Sequence, residues 1–268
     1  MFYLFSGMER GESRRLVFRA LLVLAGLVAL VGAAGLLLGW REVVRLWPFL
    51  GYGLVPVFLA SILTAIGAPV IWIGGAGELA AVRGGAANLL VTGVGVAAYC
   101  LSLGWGDPAG RVQMFGLIHL GVAIVALLLL VANRRVPWVD ERPTPVLVRI
   151  AFGIFGLTLV AVGTALVLKQ DVLPWPLEAE TSVVYGLIFL GAAVYFAYGL
   201  WRPVWGNAKG RLAGFLAYDL VLVVPFVRLW PSSPSLSLAV YLAVIVASAL
   251  LAIWYLAVSP RYRLWTRS

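Results

Sequence analysis

The sequence predicts an all-α integral membrane protein with eight transmembrane helices, arranged as two parallel four-helix repeats. The chain has 268 residues, of which 63% are hydrophobic and 12% are charged. A soluble domain carries about 25% charged residues, so lipid must be the solvent for most of this apolar surface. The net charge of +9 does not indicate a nucleic-acid partner, because the basic residues are spread over short loops instead of one folded basic domain.

Eight apolar runs are long enough to cross a bilayer, which requires about 20 residues each. The runs cover residues 17–39, 50–73, 86–104, 112–132, 147–168, 182–201, 211–230 and 236–258. The third and seventh runs are the least hydrophobic, so their ends are the least well defined. The first run follows several arginines like a signal peptide. It is too long for a typical signal segment, and we therefore interpret it as a retained helix.

Short anchor motifs recur in the same order in both halves of the chain. Two pairs show this best: Tyr52-Gly53-Leu54 with Tyr185-Gly186-Leu187, and Trp47-Pro48 with Trp175-Pro176. They predict a first repeat over 1–142 and a second over 143–268, packed into one membrane domain. Because each repeat has four spans, both enter the membrane from the same side. The repeats are then parallel, and a site is expected at the seam between them.

The loop charges predict the orientation of the chain. With the N-terminus in the cytoplasm, most basic residues lie on the cytoplasmic side, including Arg83, the arginines of the central loop 133–146, Lys209 and Arg211. This distribution follows the positive-inside rule. It predicts that both termini are cytoplasmic, and the expected location is the plasma membrane of a prokaryote.

Asp219 is the sharpest candidate for a functional residue, and His119 is the second. Asp219 lies near the middle of the seventh run and His119 lies in the fourth. A carboxylate at such a depth costs about 2.5–3.5 kcal/mol on insertion scales, so it must face protein or water, and it marks a candidate proton or ligand site. The alternative for Asp219 is a hydrogen bond across a helix seam. The alternative for His119 is a bond to one backbone carbonyl.

A glycine-rich segment offers a weaker candidate, a loop for an anion or a lipid head group. It contains Gly74, Gly75 and Gly77, followed by Arg83. Successive backbone N–H groups in such turns can bind anions. No strand precedes the segment and no Gly-Lys-Ser/Thr ending follows it, so a tight cytoplasmic turn is the favoured interpretation. The segment 206–210 is its expected counterpart in the second repeat.

The residue inventory argues against a metal, a cofactor or a known catalytic motif. Cys100 is the one cysteine and His119 the one histidine, whereas metal and haem sites in helix bundles usually need several such ligands. Neither His-Glu-x-x-His nor Gly-x-Ser-x-Gly occurs in the sequence. We therefore predict no metal and no cofactor. Enzymatic activity is left open but is not favoured.

Two functions remain at this stage. The first is a transporter-like protein that moves a small apolar or lipidic solute, with Asp219 as its proton-responsive group. The second is a non-catalytic membrane subunit or assembly factor of a larger complex. The scarcity of polar residues inside the spans favours the second, because a solute pathway needs polar lining. An apolar solute removes that objection. The expected partners are the lipid bilayer and either a membrane protein or further copies of this chain.

Overall fold

The computed structural model describes residues 2–49, 53–104, 110–232 and 234–264, and Tyr52 of the first anchor lies outside them. Within these ranges the helices are α1 Phe2–Leu37, α2 Arg41–Val44, α3 Val55–Ala76, α4 Val82–Ser102, α5 Arg111–Asn133, α6 Val146–Val167, α7 Ala179–Trp201, α8 Trp205–Leu229 and α9 Leu236–Ile253. A 3₁₀ turn at Leu79–Ala81 directly precedes α4, and α9 continues as a π-helical turn at Trp254–Val258.

Eight of the described helices, all except the short α2, are long and apolar enough to cross a membrane. The prediction of an all-α, multi-pass membrane protein is confirmed on this basis of length and composition. The third span begins at Leu79 instead of residue 86, and the seventh begins at Trp205 instead of residue 211. Both helices are longer than hydropathy predicts, because their first turns contact protein.

The turn predicted at residues 206–210 is wrong, since this segment is the first part of α8 and all five of its residues are buried. The segment has a low hydropathy because polar groups of the protein, and not lipid, surround it. A Cβ at Gly206 would lie only 2.6 Å from Oε2 of Glu78 and 2.9 Å from the carbonyl oxygen of Asp140. Small and polar residues therefore allow the central loop to pack against the start of the helix.

The eight spanning helices form two rows of four. In the first row α1 packs on α3, α3 on α8, and α8 on α9. In the second row α5 packs on α4, α4 on α7, and α7 on α6. Close backbone approaches between the rows are much fewer, and among the described residues α1 with α5 and α6 with α9 have almost none. The rows therefore face each other mainly through side chains, and those of α6 and α9 share two buried apolar clusters.

Glycines bring helices within a row very close together. A Cβ on Gly26 of α1 would lie 2.8 Å from the carbonyl oxygen of Gly67 of α3, and a Cβ on Gly67 would lie 2.9 Å from the carbonyl oxygen of Gly26. No side chain fits at either position, so the backbones themselves are in contact. Such small-residue contacts are how transmembrane helices gain packing energy in lipid, where apolar burial alone gives little.

At one end of the molecule, the loop end, the central loop is held against α8 by charges. The Asp140 carboxylate accepts hydrogen bonds from Lys209 Nζ at 2.8 Å and from Arg142 Nη2 at 2.5 Å. The N–H groups of Trp205 and Gly206 donate to the carbonyl oxygens of Arg142 and Asp140. Burial works to raise the pKa of Asp140, but Arg142 and Lys209 outweigh it and hold this pKa at about 2.

Glu78, between α3 and α4, adds a second attachment for the central loop. Its two carboxylate oxygens accept hydrogen bonds from the N–H groups of Val139 and Asp140, each at 2.9 Å. Burial raises the pKa of the Glu78 carboxyl, although the two N–H bonds work in the opposite direction. The central loop is therefore fixed to both helix rows, through Glu78 beside α4 and through Lys209 on α8.

At the opposite end, the aromatic end, the rows meet through rings. Phe58 of α3 lies 4.7 Å from the ring centre of Tyr185 of α7, and 5.5 Å from that of Trp175. The Tyr185 hydroxyl donates to the carbonyl oxygen of Val55 at 3.2 Å. These side chains belong to the largest buried apolar cluster of the described chain. Side chains thus join the rows at both ends.

Candidate functional site

A cavity of about 950 Å³ lies between the two helix rows. All eight spanning helices contribute residues to its wall, and nearly all of the wall is apolar. The volume lies near the top of the range for ligand pockets, which is about 300–1,000 Å³. Few polar side chains face this space, so each of them is a candidate for recognising what occupies it.

Asp219 lies on α8, is 2% exposed and lines the cavity. Ser248 of α9 donates a hydrogen bond to its Oδ2 at 2.6 Å. Beside this pair, the hydroxyl oxygens of Tyr218 and Tyr241 are 2.5 Å apart. Among the described residues, no lysine, arginine or histidine forms an ion pair with Asp219. The carboxyl group therefore combines a bond across a helix seam with a place on the cavity wall and no opposite charge.

His119 lies on α5, in the other row, and also lines the cavity. Its Nδ1 is 2.9 Å from the carbonyl oxygen of Phe115, whose ring centre lies 4.2 Å from the imidazole. The structure thus places both sequence-predicted residues on one cavity, on opposite rows, each with its own hydrogen-bond partner. On the same wall, Thr92 donates to Oδ1 of Asn88 at 3.2 Å, which adds a small polar patch on α4.

Arg211 is a candidate site residue that the sequence analysis did not identify. It was expected among the cytoplasmic loop charges, but it lies inside α8, is 1% exposed and lines the cavity. Its Nε donates to the carbonyl oxygen of Tyr195 of α7 at 2.9 Å, and Nη1 bonds the carbonyl and side-chain oxygens of Asn207. The guanidinium carbon lies 4.1 Å from the centre of the Tyr195 ring. Arg211 therefore joins the two rows at the loop end of the cavity.

The glycine-rich segment lies elsewhere, and it does not line the cavity. Gly74 and Gly75 belong to the last turn of α3, and their carbonyl oxygens accept hydrogen bonds from Arg19 at 2.8 and 2.6 Å. Gly77 ends that helix with a φ of 75°, where a glycine is favoured. The Arg83 guanidinium donates to three carbonyl oxygens and lies 4.8 Å from the ring centre of Trp138. Anion binding by this segment stays a prediction.

Among the described residues, no group of three or more histidine, cysteine or carboxylate side chains could hold a metal ion. What the cavity offers instead is an apolar body with one buried cation near one end and one buried carboxyl group at mid-depth. Such a wall can hold an apolar solute, orient a charged or polar head, and exchange a proton at a carboxyl oxygen.

Comparison with known proteins finds no matching family model, no matching curated protein and no matching solved structure.

Proposed function

We propose that this chain is a transporter-like membrane protein that binds a small apolar or lipidic solute between its two helix rows. The single observation that carries the proposal is the apolar cavity of about 950 Å³, to which every spanning helix contributes. An aqueous solute would need a polar lining, which this wall does not offer. An apolar or lipidic solute is therefore the class that the wall suits.

The spacing of the helices supports access from the bilayer. Although α1 and α5 both contribute to the cavity wall, their backbones hardly approach each other in the described structure. Weakly packed seams are the places where an apolar solute from the lipid can pass between helices. The rows are instead joined at their ends, by Arg211 at the loop end and by Tyr185 at the aromatic end.

Asp219 is proposed as the proton-responsive group of this cavity. It has a hydroxyl partner and no ion pair among the described residues, so nothing in that part of the chain holds it permanently ionised. Intramembrane carboxyl groups with these surroundings are typical of proton relays in transporters. A change in its charge would alter the polarity of a largely apolar wall.

We also propose that the chain is a duplicated unit, with repeats 1–142 and 143–268 and with both termini in the cytoplasm. In such a duplication α3 corresponds to α7, and α4 corresponds to α8. The contact of α3 with α8 then has its counterpart in the contact of α7 with α4, and both contacts are present. The same correspondence turns the first row into the second. This pattern supports a two-fold relation along the membrane normal, with the cavity on the axis.

The test is native mass spectrometry of the full chain, extracted with a mild detergent from the membrane in which it is made. We expect an amphiphile or apolar molecule to stay bound to the wild type. The variant Ala192→Trp places an indole in the cavity wall and should lose this molecule. The matched control is Ala197→Trp on the same helix, because Ala197 is exposed and does not line the cavity. The control should retain the molecule.

The same measurement on Asp219→Asn tests the proton-responsive role. The wild type should retain its ligand to a different extent across a pH series, whereas the variant should show one value throughout. Asp171→Asn is the control, since Asp171 is exposed in the loop before α7. The proposal would be overturned in favour of the subunit function by a stoichiometric partner chain in place of a ligand, with neither Ala192→Trp nor Asp219→Asn changing the result.

A further inference from the structure

We infer that Arg211 is the anchor for an anionic head group, a carboxylate or a phosphate, on an amphiphile that occupies the cavity. The inference rests on the proposed function, because it names the chemical class of the ligand that the cavity takes. It concerns a residue that the sequence analysis placed at the cytoplasmic edge of the seventh apolar run. Four features of the described structure support it: the burial of Arg211, its Nη2 group without an acceptor, the lack of a carboxylate partner among the described residues, and its aromatic neighbours.

The guanidinium lies in a niche that glycines leave open. A Cβ at Gly84 of α4 would overlap Nη2 of Arg211, and a Cβ at Gly199 of α7 would lie 3.0 Å from its Nε. The Tyr195 ring covers the group from α7. Three helices therefore fix the position of the cation, and two of them belong to the opposite row. A charge held in one place is prepared to bind a ligand with little further loss of entropy.

One nitrogen of the guanidinium has no hydrogen-bond acceptor among the described residues. Nε bonds the carbonyl oxygen of Tyr195, and Nη1 bonds the two oxygens of Asn207. Nη2 is buried and has no hydrogen-bond partner among the described residues. A buried donor on a charged group is costly to leave without an acceptor. An anionic oxygen in the cavity would supply that acceptor.

The charge of Arg211 is uncompensated as well. Its protein partners are neutral carbonyl and amide oxygens, and no carboxylate in the described part of the chain forms a salt bridge with it. Asp219 lies eight residues further along α8, which is about 12 Å along the axis at about 1.5 Å per residue. Asp140 is bound to Lys209 and Arg142. A buried cation needs a paired charge, and a ligand anion would provide it.

The wall beside Arg211 suits the apolar part of such a ligand. Phe215 lies one turn further along α8, and its ring centre is 4.8 Å from that of Phe196 and 4.4 Å from that of Phe155. All three rings line the cavity. The order along the wall is therefore a cation followed by an aromatic surface. This is the order that an anionic head and an apolar chain require. Arginine also matches carboxylate and phosphate oxygens better than lysine does.

The experiment compares three probes with the same apolar chain: oleate, oleoyl lysophosphatidate and the neutral oleyl alcohol. Each is titrated into the delipidated full chain in a neutral detergent, and binding is followed by native mass spectrometry. We expect the wild type to bind one or both anions more tightly than the alcohol. Arg211→Gln should weaken anion binding by about tenfold to a hundredfold, which corresponds to one charged hydrogen bond, and leave the alcohol unaffected.

Two further variants complete the design. Arg228→Gln removes the same charge from an exposed arginine at the end of the same helix, and it should change no affinity. Arg211→Lys keeps the cation and should give intermediate anion affinity, so a glutamine variant that fails to fold does not end the test. If oleate loses more affinity than oleoyl lysophosphatidate in Arg211→Gln, the preferred head group is a carboxylate. If oleoyl lysophosphatidate loses more, it is a phosphate.

The inference and the proposed function can fail separately. Equal affinity of the wild type for oleyl alcohol and both anions would overturn the role of Arg211, while the cavity would still be shown to bind an amphiphile. Binding of none of the three probes, together with no retained molecule in Ala192→Trp or in the wild type, would overturn the proposed function itself.

Discussion

Lys209 and Arg211 are two cations on the same helix, two residues apart and both buried, but their surroundings differ. Lys209 Nζ lies 2.8 Å from the Asp140 carboxylate. Arg211 donates hydrogen bonds only to carbonyl and amide oxygens of the described chain, its guanidinium carbon lies 4.1 Å from the centre of the Tyr195 ring, and its Nη2 has no hydrogen-bond partner there. Within the described part of the chain, Lys209 is paired with a carboxylate and Arg211 is not.

The carboxylates repeat this contrast. Asp140 lies outside the spans and is bound by Arg142 and Lys209, whereas Asp219 lies on the cavity wall with a serine hydroxyl. Buried charges cost free energy unless they are paired. The loop end therefore uses its charges to hold the central loop in place, and the cavity keeps its charges available. The two cations and the two carboxylates compared are all buried, so burial does not distinguish them. What distinguishes a structural charge from a candidate site is whether the described protein supplies an opposite charge beside it.

The largest effect should come from Asp140→Ala. This change leaves Lys209 buried without its counter-charge and releases the central loop from α8, so we expect the free energy of unfolding to fall by about 3–5 kcal/mol. The measurement is unfolding by a denaturing detergent, followed by tryptophan fluorescence. Glu141→Ala is the control, because Glu141 is the exposed neighbour, and it should change stability by less than about 0.5 kcal/mol. Equal effects of the two variants would show that the loop-end charges are not compensated as described.

The pH dependence of stability should be the next largest effect. The pKa of Asp140 is about 2 in the folded protein and about 3.9 when unfolded. Its contribution is then fully present above about pH 4 and lost as the pH falls through about 2, which corresponds to about 2–3 kcal/mol. Glu78 affects stability in the opposite direction, because burial raises the pKa of its carboxyl in the folded protein. Its contribution to the free energy of unfolding is therefore lost as the pH rises above about 4.3, the pKa of the carboxyl in the unfolded chain.

Acid unfolding of the wild type, Asp140→Asn and Glu78→Gln separates these two terms. Asp140→Asn should lose much of its dependence between about pH 4 and pH 2. Glu78→Gln should still lose stability as the pH falls from about 4 to 2. Its stability should decline less than that of the wild type as the pH rises above about 4.3. If Asp140→Asn were as acid-sensitive as the wild type, Arg142 and Lys209 would not be stabilising the ionised carboxylate.

Hydropathy predicts most of this fold because lipid contact requires apolar side chains along a whole span. All eight spanning helices could be found in this way. The rule fails where protein surrounds a helix on every side, as at the first turns of α8, where Gly206 and Asn207 are buried against other parts of the chain. The start of α4 was misplaced in the same direction. The pairing of helices into rows depends on contacts between distant segments, which no local pattern contains.

The candidate site was predicted in the same uneven way. Asp219 could be singled out because a carboxylate inside a long apolar run is conspicuous, and in the structure it lies on the cavity wall. Arg211 could not be identified, because an arginine at the edge of a run resembles one that reaches the membrane interface. Its buried position depends on Gly84 and Gly199, which lie on other helices. A spatial arrangement of this kind leaves no signal in spacing along the chain.

The smallest effect, and the most direct test of the comparison, should come from Lys209→Met and Arg211→Met. Both remove a buried cation from α8 and keep an unbranched apolar side chain. Lys209→Met leaves Asp140 with Arg142 alone, so we expect a loss of about 1–2 kcal/mol in the free energy of unfolding. Arg211→Met removes a buried charge that has no counter-charge in the described protein, so stability should stay the same or rise. Detergent unfolding of the two variants side by side measures this difference. If Arg211→Met were the more destabilising change, the carbonyl partners of Arg211 would be sufficient compensation, and the argument for a ligand anion would lose its electrostatic basis.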